Sequence, residues 1–298
     1  MDLHSGLPYW IIRNSLWDYF HPLEKDLSTD VVIVGSGITG ALMAHELCHA
    51  GIKCCIVDKR SIATGSSAAS TALLQYEIDV PLCRMAKIIG EENAATAYHA
   101  CLQSISDIKR VLEETGVNAG FEQLPSLFYA SSAADNKLLE QEHEIRQKHK
   151  LPVNLLEKKK IREEYKVKTP GNALINEASA QMDAYRAATG LLAYHIKESG
   201  LKVFTHTSIK ECIETSDGCI MTTDRGHKIK CGYVIIATGF EAGQFLPQKI
   251  MDLTSTYALV SHPVASEHLW PTHCLIWETA DPYLYIRTTD KNRIIVGC

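Results

Sequence analysis

Val31-Val32-Ile33-Val34 is an unbroken run of β-branched residues, the pattern of a short strand buried on both faces. It leads into closely spaced glycines and then, from Ile38 to about Ala50, into a helical pattern. A second apolar run, Cys54-Cys55-Ile56-Val57, follows. Strand, helix and strand in such close succession predict a parallel βαβ unit. From Val80 to Gly116 the spacing is helical, with Ile105, Ile108, Val111 and Leu112 three or four residues apart or adjacent. Residues 121–131 read as a bent strand or strand pair, Ala133 to Lys148 as a charged helix, and 157–165 as a short exposed helix. An amphipathic helix is predicted from Ala184 to Ser199, stopped by Gly200. Strands are predicted at Lys202–Thr205, on both sides of Ser216-Asp217-Gly218, and at Gly232–Ala237. Leu284–Arg287 and Ile294–Val296 are expected to pair as a hairpin across Asp290-Lys291-Asn292.

Composition narrows the class. The 298 residues are 46% hydrophobic and 22% charged, in the range of globular proteins. A formal net charge of −5 gives no footprint for a nucleic-acid partner. No apolar run has the length of a membrane span, and the N-terminus lacks the basic-then-apolar order of a secretory leader. A cytoplasmic location is therefore expected. The ten cysteines include no Cys-x-x-Cys pair, so free thiols are expected and no metal. Residues 1–29, with Tyr9, Trp10, Trp17, Tyr19 and Phe20, are expected to form an arm packed on the body of the protein.

The chemistry begins at Gly35-Ser36-Gly37-Ile38-Thr39-Gly40. In a dinucleotide fold Gly35 permits the tight turn, Gly37 lets the backbone approach a pyrophosphate, and Gly40 lets the helix pack on the strand. The helix N-terminus adds unpaired amides and the positive end of its dipole. Asp58 ends the second strand, 21 residues after Gly37, where a ribose hydroxyl is bonded in such folds. Lys59 and Arg60 would suit a 2′-phosphate, but Asp58 would repel one, so NADP is not expected. Gly65, Ser66, Ser67, Ser70 and Thr71 lie in a small polar loop whose hydroxyls and amides suit a cofactor's phosphates and ring. Much later, after a β-meander, a buried strand ends in Ala237-Thr238-Gly239. That ending is similar to the second fingerprint of FAD-binding flavoproteins.

With Gln181-Met182-Asp183 leading into a helix, and Thr207-Ser208-Ile209, the chain from about residue 28 onward resembles a family of FAD-dependent oxidoreductases. The family includes D-amino-acid oxidase, glycine oxidase and monomeric sarcosine oxidase. The resemblance implies an α/β protein: a Rossmann-like FAD-binding domain, βαβ plus β-meander, interleaved with an α+β substrate domain on a mixed sheet. Residues 30–79 and 170–245 are assigned to the first domain, and 80–169 and 246–298 to the second. It implies FAD as cofactor, with the Ile209 backbone against the adenine and the Gly65–Thr71 loop beside the pyrophosphate and isoalloxazine. It implies a small-molecule partner, and hydride transfer to flavin from the amine-bearing carbon of an amino acid or related amine. A hydroxy acid or polyol phosphate is the alternative substrate, and a non-catalytic flavin-binding module the alternative function.

Tyr283, Tyr285 and Arg287 alternate, so a strand would set all three on one face. Two phenols and a guanidinium suit a small carboxylate, and the family's Tyr-x-x-x-Arg strand implies Arg287 as its clamp. The family's pattern normally continues beyond the strand matching Ile294–Gly297. For a chain stopping at Cys298 the expectation is a shortened FAD domain, with weak FAD affinity and a tendency to aggregate.

Overall fold

The β-branched run forms a strand, and a longer one than the sequence pattern marks: Leu27–Val34. In the computed structural model, which describes residues 3–17, 20–246, 248–249 and 252–298, this strand lies inside a sheet. Tyr19 lies outside the described residues. Cys54–Val57 pairs parallel on one side of the strand, with Val34 opposite Val57, and Lys228–Ile236 pairs parallel on the other, with Val34 opposite Ile236. Lys202–Phe204 extends the parallel half of the sheet, while Gly218–Thr223 and Ile209–Thr215 form the meander beyond Lys228–Ile236. Val32, Val34, Cys55, Val57, Met221 and Ile229 form the core between the strands and Leu23 of the arm. The helix Ile38–His49 packs through Gly40, Ala41 and Ala44, residues small enough for a close approach.

These elements belong to one compact unit, comprising Met1–Ser70, Leu112–Ala119 and Asp183–Thr254. The second unit comprises Thr71–Val111, Gly120–Met182 and Ser255–Cys298. Its sheet runs in the order Ala258–Val260, Ile294–Gly297, Tyr285–Thr288, Leu275–Glu278, Glu122–Tyr129, Ala173–Gln181 and Leu73–Leu74. Asn154–Leu156 also pairs with Ala173–Gln181. The Leu275–Glu278 and Glu122–Tyr129 pairing is parallel and the others are antiparallel, so the sheet is mixed. The C-terminal hairpin forms as expected, with Arg287 opposite Ile295. The Glu122–Tyr129 strand is bent, its register slipping between Leu124 and Ser126 around Pro125.

Several boundaries differ from the sequence reading. Ala173–Gln181 does not return to the nucleotide unit: it pairs along most of Glu122–Tyr129, and the first unit resumes only at Asp183. Residues 71–79 follow it into the second unit, because Leu73 and Leu74 pair with Gln181 and Ala180. Residues 112–119 and 246–254 count with the first unit, as does the N-terminal arm, where Trp10, Ile11 and Leu23 are buried. The long helical stretch is two helices, Leu82–Ile89 and Glu91–Thr115, parted by Gly90 at φ +86°.

The helix Asn136–Lys148 carries two of the second unit's buried charges, Glu142 and Arg146. Arg146 is wholly buried, donating from Nε to Glu142 at 2.7 Å and from Nη1 to Glu77 at 3.1 Å. Glu142 also accepts the backbone N–H groups of Leu82 and Cys83, orphan donors at the start of their helix. Tyr76 and Tyr98 pack their rings against the guanidinium, 5.5 and 5.6 Å from its carbon.

Candidate cofactor site

The glycine turn and the end of Cys54–Val57 are fastened by one carboxylate. Asp58 Oδ2 accepts the Ser36 N–H at 2.8 Å and the Ser36 hydroxyl at 2.6 Å, and Oδ1 accepts the Arg60 N–H at 2.8 Å. Asp58 lines the cavity as well as shaping the glycine turn. Asp58→Ala is therefore expected to weaken FAD binding by about 1.5–3 kcal/mol, the scale of hydrogen bonds to a charged group. That corresponds to a rise in Kd of roughly ten- to hundredfold, measured by FAD fluorescence quenching. An unchanged Kd would leave Asp58 no part in the site.

The cavity in the first unit is about 290 Å³. Of the residues singled out in the sequence, Gly35, Gly37, Ile38, Thr39, Asp58, Lys59 and Arg60 line it. So do Gly65, Ser66, Ser67, Ser70, Ile209, Ala237, Thr238 and Gly239. Three others are not on its wall. Ser36 is buried behind the turn, where its hydroxyl meets Asp58 and accepts the Ala63 N–H. Gly40 is pressed against the Gly35 carbonyl, and Thr71 belongs to the second unit. The serine segment is not an open loop: Ser66–Ala69 is a helical turn, and Ser67 Oγ accepts the Ile38 N–H at 2.9 Å.

Sequence reasoning missed Thr207 and Ala184 on the wall, and Glu241, Gln244 and Phe245 from the 3₁₀ helix Gly239–Phe245. Glu241 had a readable signal, an acid just past the second small-residue motif. Its carboxylate is 8% exposed and accepts Lys59 Nζ at 2.6 Å and Arg60 Nη1 and Nη2 at 2.8 and 3.1 Å. The Arg60 hydrogen bonds, with Lys59 adding to them and burial opposing, hold the carboxyl down at about 2.

The donor set fits an FAD dinucleotide. A Cβ at Gly35 would overlap the Ala237 carbonyl oxygen, so two glycine-bearing segments meet without side chains between them. Thr238 Oγ1 is buried on the same wall without a hydrogen-bond partner. Hydroxyl, amide and bare backbone there are what a ribose and a pyrophosphate require.

Residues 30–298 match the model of the family described as FAD dependent oxidoreductase. The chain belongs to that family. It is 23% identical over 232 residues to a putative Rieske 2Fe-2S iron-sulfur protein of Bacillus subtilis, covering 78% of this chain and 44% of the relative. The chain thus spans about half the length of that curated relative. Among solved structures, L-proline dehydrogenase from P. horikoshii superposes with a TM-score of 0.73 at 21% identity, over 91% of this chain and 70% of the other. The FAD-bound L-alpha-glycerophosphate oxidase of Mycoplasma pneumoniae gives 0.70 at 18%, over 91% and 71%. FAD is the family's cofactor, and the cavity supplies a matching cradle. Among the described residues, no helix is long and apolar enough to cross a membrane.

The expected substrate face lies in the second unit and departs from the sequence reading at Arg287. That guanidinium is 3% exposed. Its Nη1 donates to the carbonyls of Thr71, Ala72 and Met182 at 2.8–2.9 Å, and its Nε to the Thr288 carbonyl at 3.2 Å. It holds backbone. Tyr283 precedes the strand Tyr285–Thr288 instead of lying on it, so strict alternation does not set the three side chains together. The two phenols do adjoin, with ring centroids 5.7 Å apart, and Trp277 lies 5.9 Å from Tyr283. Tyr283 donates to Asp79 at 2.8 Å, and burial followed by that bond pushes its phenol pKa up.

Proposed function

We propose that this chain forms the flavin-binding part of an oxidoreductase that oxidises the amine-bearing carbon of an amino acid or related small amine. The observation that carries the reading is the nucleotide cradle: Gly35 against the Ala237 carbonyl, with the buried Thr238 hydroxyl unpartnered on the same wall. Gly35, Gly37, Ser67 and the amides of the Ile38 helix would hold the pyrophosphate, and Asp58 and Thr207 the adenosine side. When bound there, FAD supplies the acceptor for the hydride leaving the substrate carbon. The protein's own work is to orient the substrate and keep water away, so no acid–base dyad is required if the neutral amine binds. Similarity to an L-proline dehydrogenase supports the amine class. On the substrate side we assign Tyr283 and Tyr285 to contact and Arg287 to holding the backbone beneath them.

Similarity to a glycerophosphate oxidase supports a second reading, oxidation of a polyol phosphate. The relative named for a Rieske centre supports an iron–sulfur electron acceptor. Anaerobic mixing of the FAD-loaded protein with amino acids, N-methyl amino acids, 2-hydroxy acids and glycerol 3-phosphate separates the readings. Bleaching of the flavin's visible absorbance by an amine is expected. Bleaching by a phosphate ester or hydroxy acid alone would overturn the amine assignment, and no bleaching by any of them would favour a non-catalytic module.

A further inference from the structure

Two cations and one buried acid meet on the wall of the FAD cavity. Lys59 and Arg60 follow directly on Asp58, and both line the cavity. Left to themselves they would form a phosphate site: an ammonium and a planar guanidinium side by side, the pairing that takes a phosphate on an adenosine ribose. They do not stand by themselves. Glu241, from the helical turn after Ala237-Thr238-Gly239, reaches across to both at 2.6–3.1 Å. With Asp58 counted, this corner of the wall carries two positive and two negative charges among the described residues.

We propose that Glu241 is a specificity-determining residue of the nucleotide pocket: by neutralising Lys59 and Arg60 it makes the adenosine end accept a ribose bearing only hydroxyls and reject one bearing a phosphate. The proposal rests on the cavity being the FAD site, and it concerns a residue that no glycine fingerprint includes. Glu241 acts through Lys59 and Arg60, so it is a positioning residue. Removing its charge would leave the corner with one net positive charge beside the adenosine.

Displacement of FAD from the purified protein, followed by recovery of flavin fluorescence, tests this with ADP and 2′,5′-ADP as competitors. The wild type should prefer ADP. In Glu241→Gln that preference should fall about tenfold, the size expected of one uncancelled charge a few ångströms from a phosphate at a partly solvated site. Glu241→Asp, which keeps the charge, should retain the wild-type ratio. The double variant Arg60→Met/Glu241→Gln removes one charge of each sign, leaves Lys59 and Asp58 at the wild-type net charge, and should also return the wild-type ratio. It carries the test even where Glu241→Gln fails to fold, because a stronger preference for ADP in the double variant would show that Arg60 already serves phosphate in the wild type and overturn the proposal. An unchanged ratio in folded Glu241→Gln, with FAD and ADP still bound, overturns the proposal alone. A wild-type protein that binds neither FAD nor ADP overturns it together with the cofactor reading.

Discussion

Gly35→Val is expected to abolish FAD binding and to cost the protein about 2–6 kcal/mol of stability. Two independent penalties meet at this position. Its φ of +110° lies where only glycine is at ease, and a branched residue held there costs roughly 1–3 kcal/mol. The added Cβ would also fall 2.9 Å from the Ala237 carbonyl carbon and overlap its oxygen, and overpacking costs roughly another 1–3 kcal/mol. Neither neighbour can yield cheaply. The Gly35 N–H donates to the Val57 carbonyl at 2.8 Å and the Ala237 N–H donates to the Val34 carbonyl at 2.8 Å, so a shift disturbs three strands. Gly37 is more forgiving, because a Cβ there meets only the Ser67 hydroxyl at 3.0 Å. Urea unfolding and an FAD titration check the prediction. A folded Gly35→Val protein with unaltered FAD affinity would falsify the cradle geometry.

Arg146→Met is expected to destabilise by about 3–5 kcal/mol without touching the nucleotide cavity. The substitution preserves much of the side chain's bulk but leaves Glu77 and Glu142 buried with no cation between them. The loss should depend on pH in a defined direction. Burial raises the Glu77 carboxyl above its ordinary range, and Arg146 opposes that rise. A carboxyl whose folded pKa exceeds its unfolded pKa binds protons more tightly in the native state, so it favours folding increasingly as pH falls. With Arg146 gone the opposition is lost, and the variant should recover stability between about pH 8 and about pH 5 more than the wild type does. Adding Glu77→Gln and Glu142→Gln should restore part of the loss at neutral pH. Denaturant midpoints across that range decide the matter: a pH-independent deficit would mean that lost packing, not stranded charge, sets the cost.

Local pattern made the nucleotide half readable. Val31–Val34, the three glycines, Asp58 and Ala237-Thr238-Gly239 each act through backbone geometry within a few residues, and such requirements leave marks in the sequence. The second unit depended on distant pairing. Ala173–Gln181 immediately precedes a helix of the first unit, yet its partner strand lies some fifty residues earlier, and nothing local records that. Glu142 and Arg146 look like a solvent-facing pair four apart on a charged helix. They are buried because Glu77, Tyr76 and Tyr98 arrive from other segments to enclose them. Arg287 was legible as a residue with a task, but its partners are main-chain carbonyls, which have no sequence signature. Glu241 follows a recognisable motif, but its partners Lys59 and Arg60 lie 182 and 181 residues earlier, and nothing local records the pairing.

Arg287 also bears on how the chain is threaded. The carbonyls it gathers belong to Thr71, Ala72 and Met182, which flank the two places where the chain changes unit, at Ser70–Thr71 and at Met182–Asp183. The Met182 N–H in turn donates to the Ala72 carbonyl. Two passages more than a hundred residues apart in sequence thus share one side-chain donor in addition to their own backbone pairing. Loss of the Arg287 guanidinium would strip a shared hydrogen-bond donor from both passages at once.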